Sequence, residues 1–195
     1  DLSFAVRDIF KHQTPEALAL VARAVQAHVA VAIPQEGHVP ALPIYRQFLA
    51  GSEVLRRFNQ GVHLQVPAGL THGQAQSALG QLIAHHGALR LRTEGVGETT
   101  GFIIDPPAQE SAFILPVLDL GGLRETERTA AIEHAFAELS NDLAPEQRGG
   151  MIAARWVEQG GTAPAILLLV IHHFAVEGVS WRILLEDLNT LTAAV

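Results

Sequence analysis

An apolar run near the end of the chain constrains the fold most. Residues 165–171 read Ala-Ile-Leu-Leu-Leu-Val-Ile, and two histidines, a glycine and a helical pattern follow directly. The run is too short to span a bilayer, and it has the length of a buried strand. We therefore predict a buried strand, a turn at Gly178 and a helix from about Trp181. Side chains at such a junction are held rigidly at a surface or cleft.

The two histidines at this junction, His172 and His173, are the candidate functional residues. Adjacent residues of a strand point to opposite faces, so the two imidazoles cannot share one role. Histidine exchanges protons near neutral pH, which suits proton transfer at a carbon or an amine. Alternatively, the two adjacent histidines have only a structural role. We predict no metal site, because the chain has no cysteine and no His-x-x-x-His pattern.

Composition excludes several classes of protein. With 195 residues, 48% of them hydrophobic, the chain is long enough for one large domain or one and a half. The net charge of −7 and the lack of a basic stripe predict no nucleic-acid partner. We expect no membrane partner and no export, since the chain opens without a charged and then apolar leader. The absence of cysteine excludes a disulfide framework and favours a cytoplasmic location.

Strand and helix patterns alternate along the chain and indicate an α/β fold with a mixed sheet and packed helices. The two strands that flank Gly160-Gly161 are expected to be antiparallel neighbours. A helix capped by Thr71 is expected to place Ala75, Ala78, Leu79, Leu82 and Ile83 on one apolar face. We predict strands at residues 61–67, 89–92, 102–104, 113–118, 151–157 and 165–171, and further helices around residues 131–139 and 181–191.

Several stretches carry a resemblance to one family. Residues 172–178 resemble the His-His-x-x-x-Asp-Gly signature of the condensation-domain superfamily of nonribosomal peptide synthetases, with Glu177 in place of the usual Asp. The continuation to Leu188 resembles the epimerization branch of that superfamily. Phe58-Asn59-Gln60 resembles the early strand of that branch, and residues 85–90 resemble the segment that carries the family's structural arginine. The resemblance runs from about Gly37 to the end of the chain.

The resemblance implies a role for each residue of the motif. His173 is expected to face the reaction channel and to exchange the proton, whereas His172 packs structurally. Glu177 and Gly178 are expected to shape the turn. We expect Arg90 to form a buried ion pair with Glu177, because a buried guanidinium needs a carboxylate.

The same resemblance implies how the substrate arrives. Ser180 and Trp181 continue the motif and are expected to shape the site. No cofactor is expected to bind directly; the substrate would be tethered to phosphopantetheine and delivered by a peptidyl carrier domain of the same synthetase.

The resemblance also divides the chain. Residues 1–31 resemble the C-terminal end of a carrier domain without its Gly-His-Ser attachment motif, and an ordinary leading helix that starts at Thr14-Pro15-Glu16 is the alternative. Residues 32–43 are rich in proline and predict a linker. Residues 44–195 are expected to form the N-terminal lobe of a two-lobed fold like that of chloramphenicol acetyltransferase. The C-terminal lobe would then be missing after Val195.

The function implied is epimerization at Cα of a carrier-bound aminoacyl or peptidyl thioester, from L to D, by removal and return of a proton. The isolated fragment is expected to be inactive. One alternative is a condensation domain that forms amide bonds between carrier-bound substrates. The other is a non-catalytic docking module of the same fold. Three departures from the family pattern favour the docking module: Glu177 in place of Asp, Tyr45 in place of Gln, and Gln47 in place of Trp.

Overall fold

The structure, a computed structural model, describes residues 2–24, 36–51, 57–95, 101–107 and 113–193. The chain divides into two units, Asp1–Ile33 and Pro34–Val195. Within the described ranges, no helix is both long and apolar enough to cross a membrane.

The first unit contains two short helices and a strand pair. Strand β1 (Leu2–Ser3) pairs antiparallel with β2 (Arg23–Ala24), and helices α1 (Val6–Lys11) and α2 (Pro15–Val21) lie between them in sequence. The predicted start of α2 is confirmed, since the Thr14 hydroxyl accepts a hydrogen bond from the backbone N–H of Ala17 at 3.2 Å. The identification of this unit with the end of a carrier domain stays a prediction.

The second unit contains two sheets and four helices within its described residues. Its elements in chain order are β3 (Gly37–Val39), α3 (Pro43–Gly51), β4 (Asn59–Gln65), α4 (His72–His85), β5 (Leu91–Glu94), β6 (Gly101–Ile104), β7 (Val117–Asp119), α5 (Glu125–Asp142), β8 (Ile152–Glu158), β9 (Ile166–His172) and α6 (Gly178–Ala193). The smaller sheet has the order β3-β6-β5, and the larger has the order β4-β9-β8-β7. In the larger sheet β7 and β8 are parallel and the other pairs are antiparallel, which confirms the predicted mixed sheet.

Strand β9 lies inside the larger sheet and is buried on both faces. Leu167, Leu169 and Ile171 belong to the core that includes residues of α4 and α6. Leu168 and Val170 belong to a second core, formed with residues of α5. Because both faces are covered, the sequence of the strand shows a continuous apolar run rather than an alternation.

Helix α4 forms as predicted. The Thr71 hydroxyl accepts a hydrogen bond from the Gln74 N–H, and the Gln74 side chain accepts one from the Thr71 N–H at 2.9 Å. Of the five positions predicted on the apolar face, Ala75, Ala78, Leu79 and Leu82 are each at most 2% exposed, and Ile83 is half-buried.

Three expectations differ from the structure. Residues 37–39, within the predicted linker, form β3 and pair with β6. Residues 87–90 form a 3-10 turn, and the predicted strand begins only at Leu91. The strand predicted at residues 113–118 is confined to β7, because Leu115 is tied to α4 by side chains: its N–H donates to Gln76 and its carbonyl accepts from His72.

Two glycines of this unit differ in what a side chain would meet. A methyl group at Gly73, in the first turn of α4, has no atom within 4 Å, whereas one at Gly150 would overlap the carbonyl oxygen of Ala144. We expect Gly73→Ala to raise the free energy of unfolding by up to about 1 kcal/mol, through helix propensity. We expect Gly150→Ala to lower it by about 1–3 kcal/mol, because the backbone must move. Urea unfolding of the two variants measures both; equal midpoints would contradict the packing at Gly150.

Candidate functional site

The candidate site lies where β9 ends and α6 begins. The backbone N–H of His172 donates to Met151 and that of His173 donates to Phe58, each at 2.8 Å. The N–H of Ala175 closes a turn onto the carbonyl of His172 at 2.9 Å. The two histidines are therefore held by neighbouring segments on either side of β9, and their backbone is fixed.

His172 is fully buried, with none of its surface exposed. Its Nδ1 accepts a hydrogen bond from the backbone N–H of Phe174 at 3.1 Å. Because Nδ1 is an acceptor, the neutral imidazole carries its proton on Nε2. The ring lies among the aromatic side chains of Phe58 and Phe174, with ring centroids 6.1 and 4.7 Å away. His172 therefore lies in the packed interior, and the structural role that the resemblance implies for it stays a prediction.

His173 is half-buried and carries the opposite tautomer. Its Nδ1 lies 2.7 Å from the carbonyl oxygen of Val176, which can only accept, so Nδ1 carries the proton. Its Nε2 lies 3.1 Å from the side-chain nitrogen of Gln60, which donates to it. The Phe58 ring stacks on the imidazole with centroids 4.5 Å apart and a 21° tilt. Nε2 is therefore the nitrogen of His173 that can accept a proton.

A cavity of about 620 Å³ lies beside His173. Its wall is mostly apolar and includes Phe48, Phe58 and Phe174. Tyr45 belongs to the same wall, and its hydroxyl donates to the carbonyl of Phe174 at 2.8 Å. Burial raises the pKa of Tyr45, which keeps the phenol protonated and able to donate at neutral pH. The second imidazole thus faces an open space large enough for an acyl group.

The remaining motif residues lie around this cavity. Glu177 is exposed at its rim, and the backbone carbonyl of Glu177 accepts from the Trp181 N–H at the start of α6. Gly178 is the first residue of α6, so the predicted turn at this glycine is wrong: the turn lies at residues 173–175, and the helix begins earlier than Trp181. Ser180 is half-buried in the cavity wall. The indole N–H of Trp181 donates to the side-chain oxygen of Gln60 at 2.9 Å.

Arg90 is buried, as predicted, but its partners differ from the prediction. Its Nε donates to the carbonyl of Asp105 at 2.9 Å, and its Nη1 donates to the carbonyls of Ile83 and Ala84 at the end of α4. The guanidinium takes these main-chain partners instead of the Glu177 carboxylate, so the predicted ion pair is wrong. The last carbonyls of a helix lack partners within the helix and attract a cation.

Electrostatics at Arg90 agree with this correction. Burial lowers the pKa of the guanidinium, and the negative charge of Glu36 partly offsets that effect. Among the described residues, Glu36 therefore acts on the pKa of Arg90.

One group of described residues could hold a metal ion, at a different place from His173. His85, His86 and Asp187 bring one potential ligand atom each to within 4.8 Å of one another. His86 Nε2 already lies 2.8 Å from a carboxylate oxygen of Asp187, and this contact links the end of α4 to α6. None of the predicted site residues belongs to this group.

Sequence reasoning missed the contacts of Gln60 and Tyr45. The resemblance places Gln60 only in a strand, and it marks Tyr45 only as a departure from the family pattern. The signal for Gln60 lies in the pairing of β4 with β9, which sets Gln60 opposite Ile171 and brings Phe58 beside His173. That pairing joins segments more than a hundred residues apart, and no local pattern predicts it.

Comparisons with known proteins identify relatives of this chain. Residues 35–194 match the family described as "Condensation domain". The chain is 35% identical over 190 residues to chondramide synthase cmdD of Chondromyces crocatus, and the match covers 97% of this chain and 5% of that protein. It is 34% identical over 194 residues to the nonribosomal peptide synthetase ungA of Aspergillus violaceofuscus, with 97% and 2% covered. The chain thus spans a small part of these relatives.

Solved structures share the fold. The epimerization domain from the third module of tyrocidine synthetase B matches with a TM-score of 0.70 and 28% identity, over 81% of this chain and 34% of that one. The first condensation domain of the CDA synthetase matches with a TM-score of 0.64 and 19% identity, over 80% and 40% of the two chains. The second likeness concerns the fold alone.

Proposed function

The chain belongs to the condensation-domain family of nonribosomal peptide synthetases, and from this premise we propose that it is part of an epimerization domain. Its fold class is the one predicted, a mixed sheet with packed helices like that of chloramphenicol acetyltransferase. The proposed reaction converts the L to the D configuration at Cα of an aminoacyl or peptidyl thioester carried on phosphopantetheine. The peptidyl carrier domain of the same synthetase is the proposed partner.

The observation that carries the proposal is His173, whose ring lines an open cavity and whose Nε2 is unprotonated and accepts a hydrogen bond from Gln60. In the proposed step the hydrogen bond from Gln60 breaks and Nε2 takes the Cα proton. The electron pair of the C–H bond moves into the thioester carbonyl and gives an enolate. Return of a proton to the opposite face of Cα then gives the D configuration and a neutral thioester.

Inversion needs a second proton donor, because a single base returns the proton to the face from which it came. The resemblance implies that this donor comes from the C-terminal lobe, across the channel from His173. The apolar wall formed by Phe48, Phe58 and Phe174 supports binding of an uncharged acyl group between the two.

A condensation domain is the second candidate, favoured by the match of residues 35–194 to the family described as "Condensation domain". There the same Nε2 would assist an amine in its attack on the thioester. The continuation Val179-Ser180-Trp181 and the 28% identity to the tyrocidine epimerization domain favour epimerization.

Product analysis decides between the two. The complete synthetase module is loaded with an L-aminoacyl thioester deuterated at Cα. We expect loss of the deuteron to solvent and a D product after release. A new amide bond with retained deuterium would overturn the proposal in favour of condensation. No change in either assay would favour a docking module.

The isolated 195-residue chain is expected to give no D product from the same carrier-bound thioester, because it supplies one of the two proton-exchanging groups. Chiral chromatography of the hydrolysed aminoacyl group measures this, with the complete module as the positive control. A D product from the isolated chain would show that both groups lie within it.

A further inference from the structure

Gln60 lies outside the motif at residues 172–178, but its side chain contacts His173. We propose that Gln60 is a positioning residue that fixes the tautomer of His173: by donating a hydrogen bond to Nε2, it keeps that nitrogen unprotonated. The effect of Gln60 on the reaction rate rests on the proposed function, but the hydrogen bond between Gln60 and His173 can be tested without catalysis.

The direction of each hydrogen bond follows from the groups involved. The indole N–H of Trp181 can only donate, so the side-chain oxygen of Gln60, 2.9 Å away, faces the indole. The amide nitrogen of Gln60 then faces His173, at 3.1 Å from Nε2, and donates to it. At the other side of the ring, Nδ1 donates to the carbonyl of Val176 at 2.7 Å. The imidazole thus lies between a donor at Nε2 and an acceptor at Nδ1, and both contacts favour the tautomer with its proton on Nδ1.

Regular secondary structure fixes the backbone of Gln60 and Trp181, two of the residues in this series of hydrogen bonds. Gln60 lies in β4, opposite Ile171 of β9, and Trp181 lies in the first turn of α6. Gln60, Trp181 and His173 are all half-buried, which strengthens the bonds relative to those in water. The neutral amide of Gln60 therefore determines which imidazole nitrogen is unprotonated. The hydrogen bond from Trp181 determines that the nitrogen end of this amide faces the imidazole.

Gln60→Glu is the sharpest test, because it changes the shape of the side chain little and reverses the direction of the hydrogen bond between residue 60 and His173. A carboxylate keeps an acceptor for Trp181 but can only accept from His173, so Nε2 must carry a proton to bond it. The other titratable groups of the cavity are Tyr45, whose hydroxyl is already bonded to Phe174, and Glu177 at the exposed rim. Neither changes in this variant.

The first measurement is 15N–1H correlation of the histidine rings in the full chain. His173 is assigned by the signal lost in His173→Gln. In the wild type we expect a proton on Nδ1 and none on Nε2. In Gln60→Glu at neutral pH we expect protons on both nitrogens, with the backbone amide spectrum otherwise preserved. A Gln60→Glu spectrum with His173 unchanged would overturn the proposal.

Gln65→Glu is the matched control, since Gln65 lies on the same strand with an exposed side chain and receives the same change of charge. We expect its His173 signals to equal those of the wild type. A shift as large as that of Gln60→Glu would show an effect of net charge on β4, and would overturn the role of the specific contact.

The second measurement is α-deuteron loss in the complete module. Gln60→Leu removes the donor but leaves the Val176 bond, so Nε2 stays unprotonated and we expect kcat to change by no more than a few fold, with KM little changed. Gln60→Glu blocks the acceptor and is expected to lower kcat about tenfold or more relative to Gln60→Leu. Equal rates for the two variants would contradict the positioning role. If the ring spectra change as expected but the wild type shows no deuteron loss, the proposed function fails and the contact of Gln60 stands.

Discussion

Replacing His173 with Gln in the complete synthetase module is expected to lower the rate of Cα deuteron loss by about 10²–10⁴-fold, the usual contribution of a positioned general base. The amide of glutamine is not basic, so it cannot take the Cα proton. Nε2 is the unprotonated nitrogen of His173, whose ring lines the cavity, and its loss removes the proposed acceptor on that side of the substrate.

The fold is expected to survive this change, because His173 is half-buried and lies outside both hydrophobic cores. His134→Gln is the control, since His134 is exposed on α5. Deuteron loss is followed by mass spectrometry of the carrier-bound aminoacyl group. A His173→Gln module that keeps most of its rate would remove His173 from the reaction.

Arg90→Met is expected to lower the free energy of unfolding by about 2–4 kcal/mol, because buried carbonyls lose their hydrogen bonds from a charged donor. Methionine fills much of the space but donates nothing, so the carbonyls of Ile83, Ala84 and Asp105 lose a charged donor. The end of α4 and Asp105, directly after β6, are no longer tied together by the guanidinium. Urea unfolding measures the loss.

Glu177→Gln is the informative control for this prediction. Glu177 is exposed, and the guanidinium bonds to main-chain carbonyls instead. We expect the unfolding midpoint of Glu177→Gln to stay close to that of the wild type. A loss comparable to that of Arg90→Met would restore the ion pair that the resemblance implied.

The parts of the fold that the sequence predicts are those set by local pattern. The continuous apolar run predicts β9, since a strand covered on both faces cannot alternate. The Thr71 cap and the spacing behind it predict α4, and His172 and His173 are found where the strand was expected to end. Periodicity and capping are properties of neighbouring residues, and they can be read without the tertiary structure.

The parts that the sequence does not predict depend on contacts between distant segments. Charge complementarity favours a carboxylate partner for Arg90, but the carbonyls at the end of α4, which lack partners within the helix, lie nearer. Strand β3 is three residues long and lies in a proline-rich stretch, so it exists through its pairing with β6. Gln60 reaches His173 only once β4 has paired with β9.

That last pairing has a consequence for how this site tolerates insertions and deletions. Gln60 and Phe58 face His173, whereas Asn59 between them faces α5 and donates to Ser140. Removing one residue from β4 would leave every motif residue in the chain and turn either Asn59 or Gly61 toward the imidazole. The reactivity of the histidine is thus encoded in the spacing of a strand outside the motif, and a homologue with an intact motif but a shifted strand is expected to have lost it.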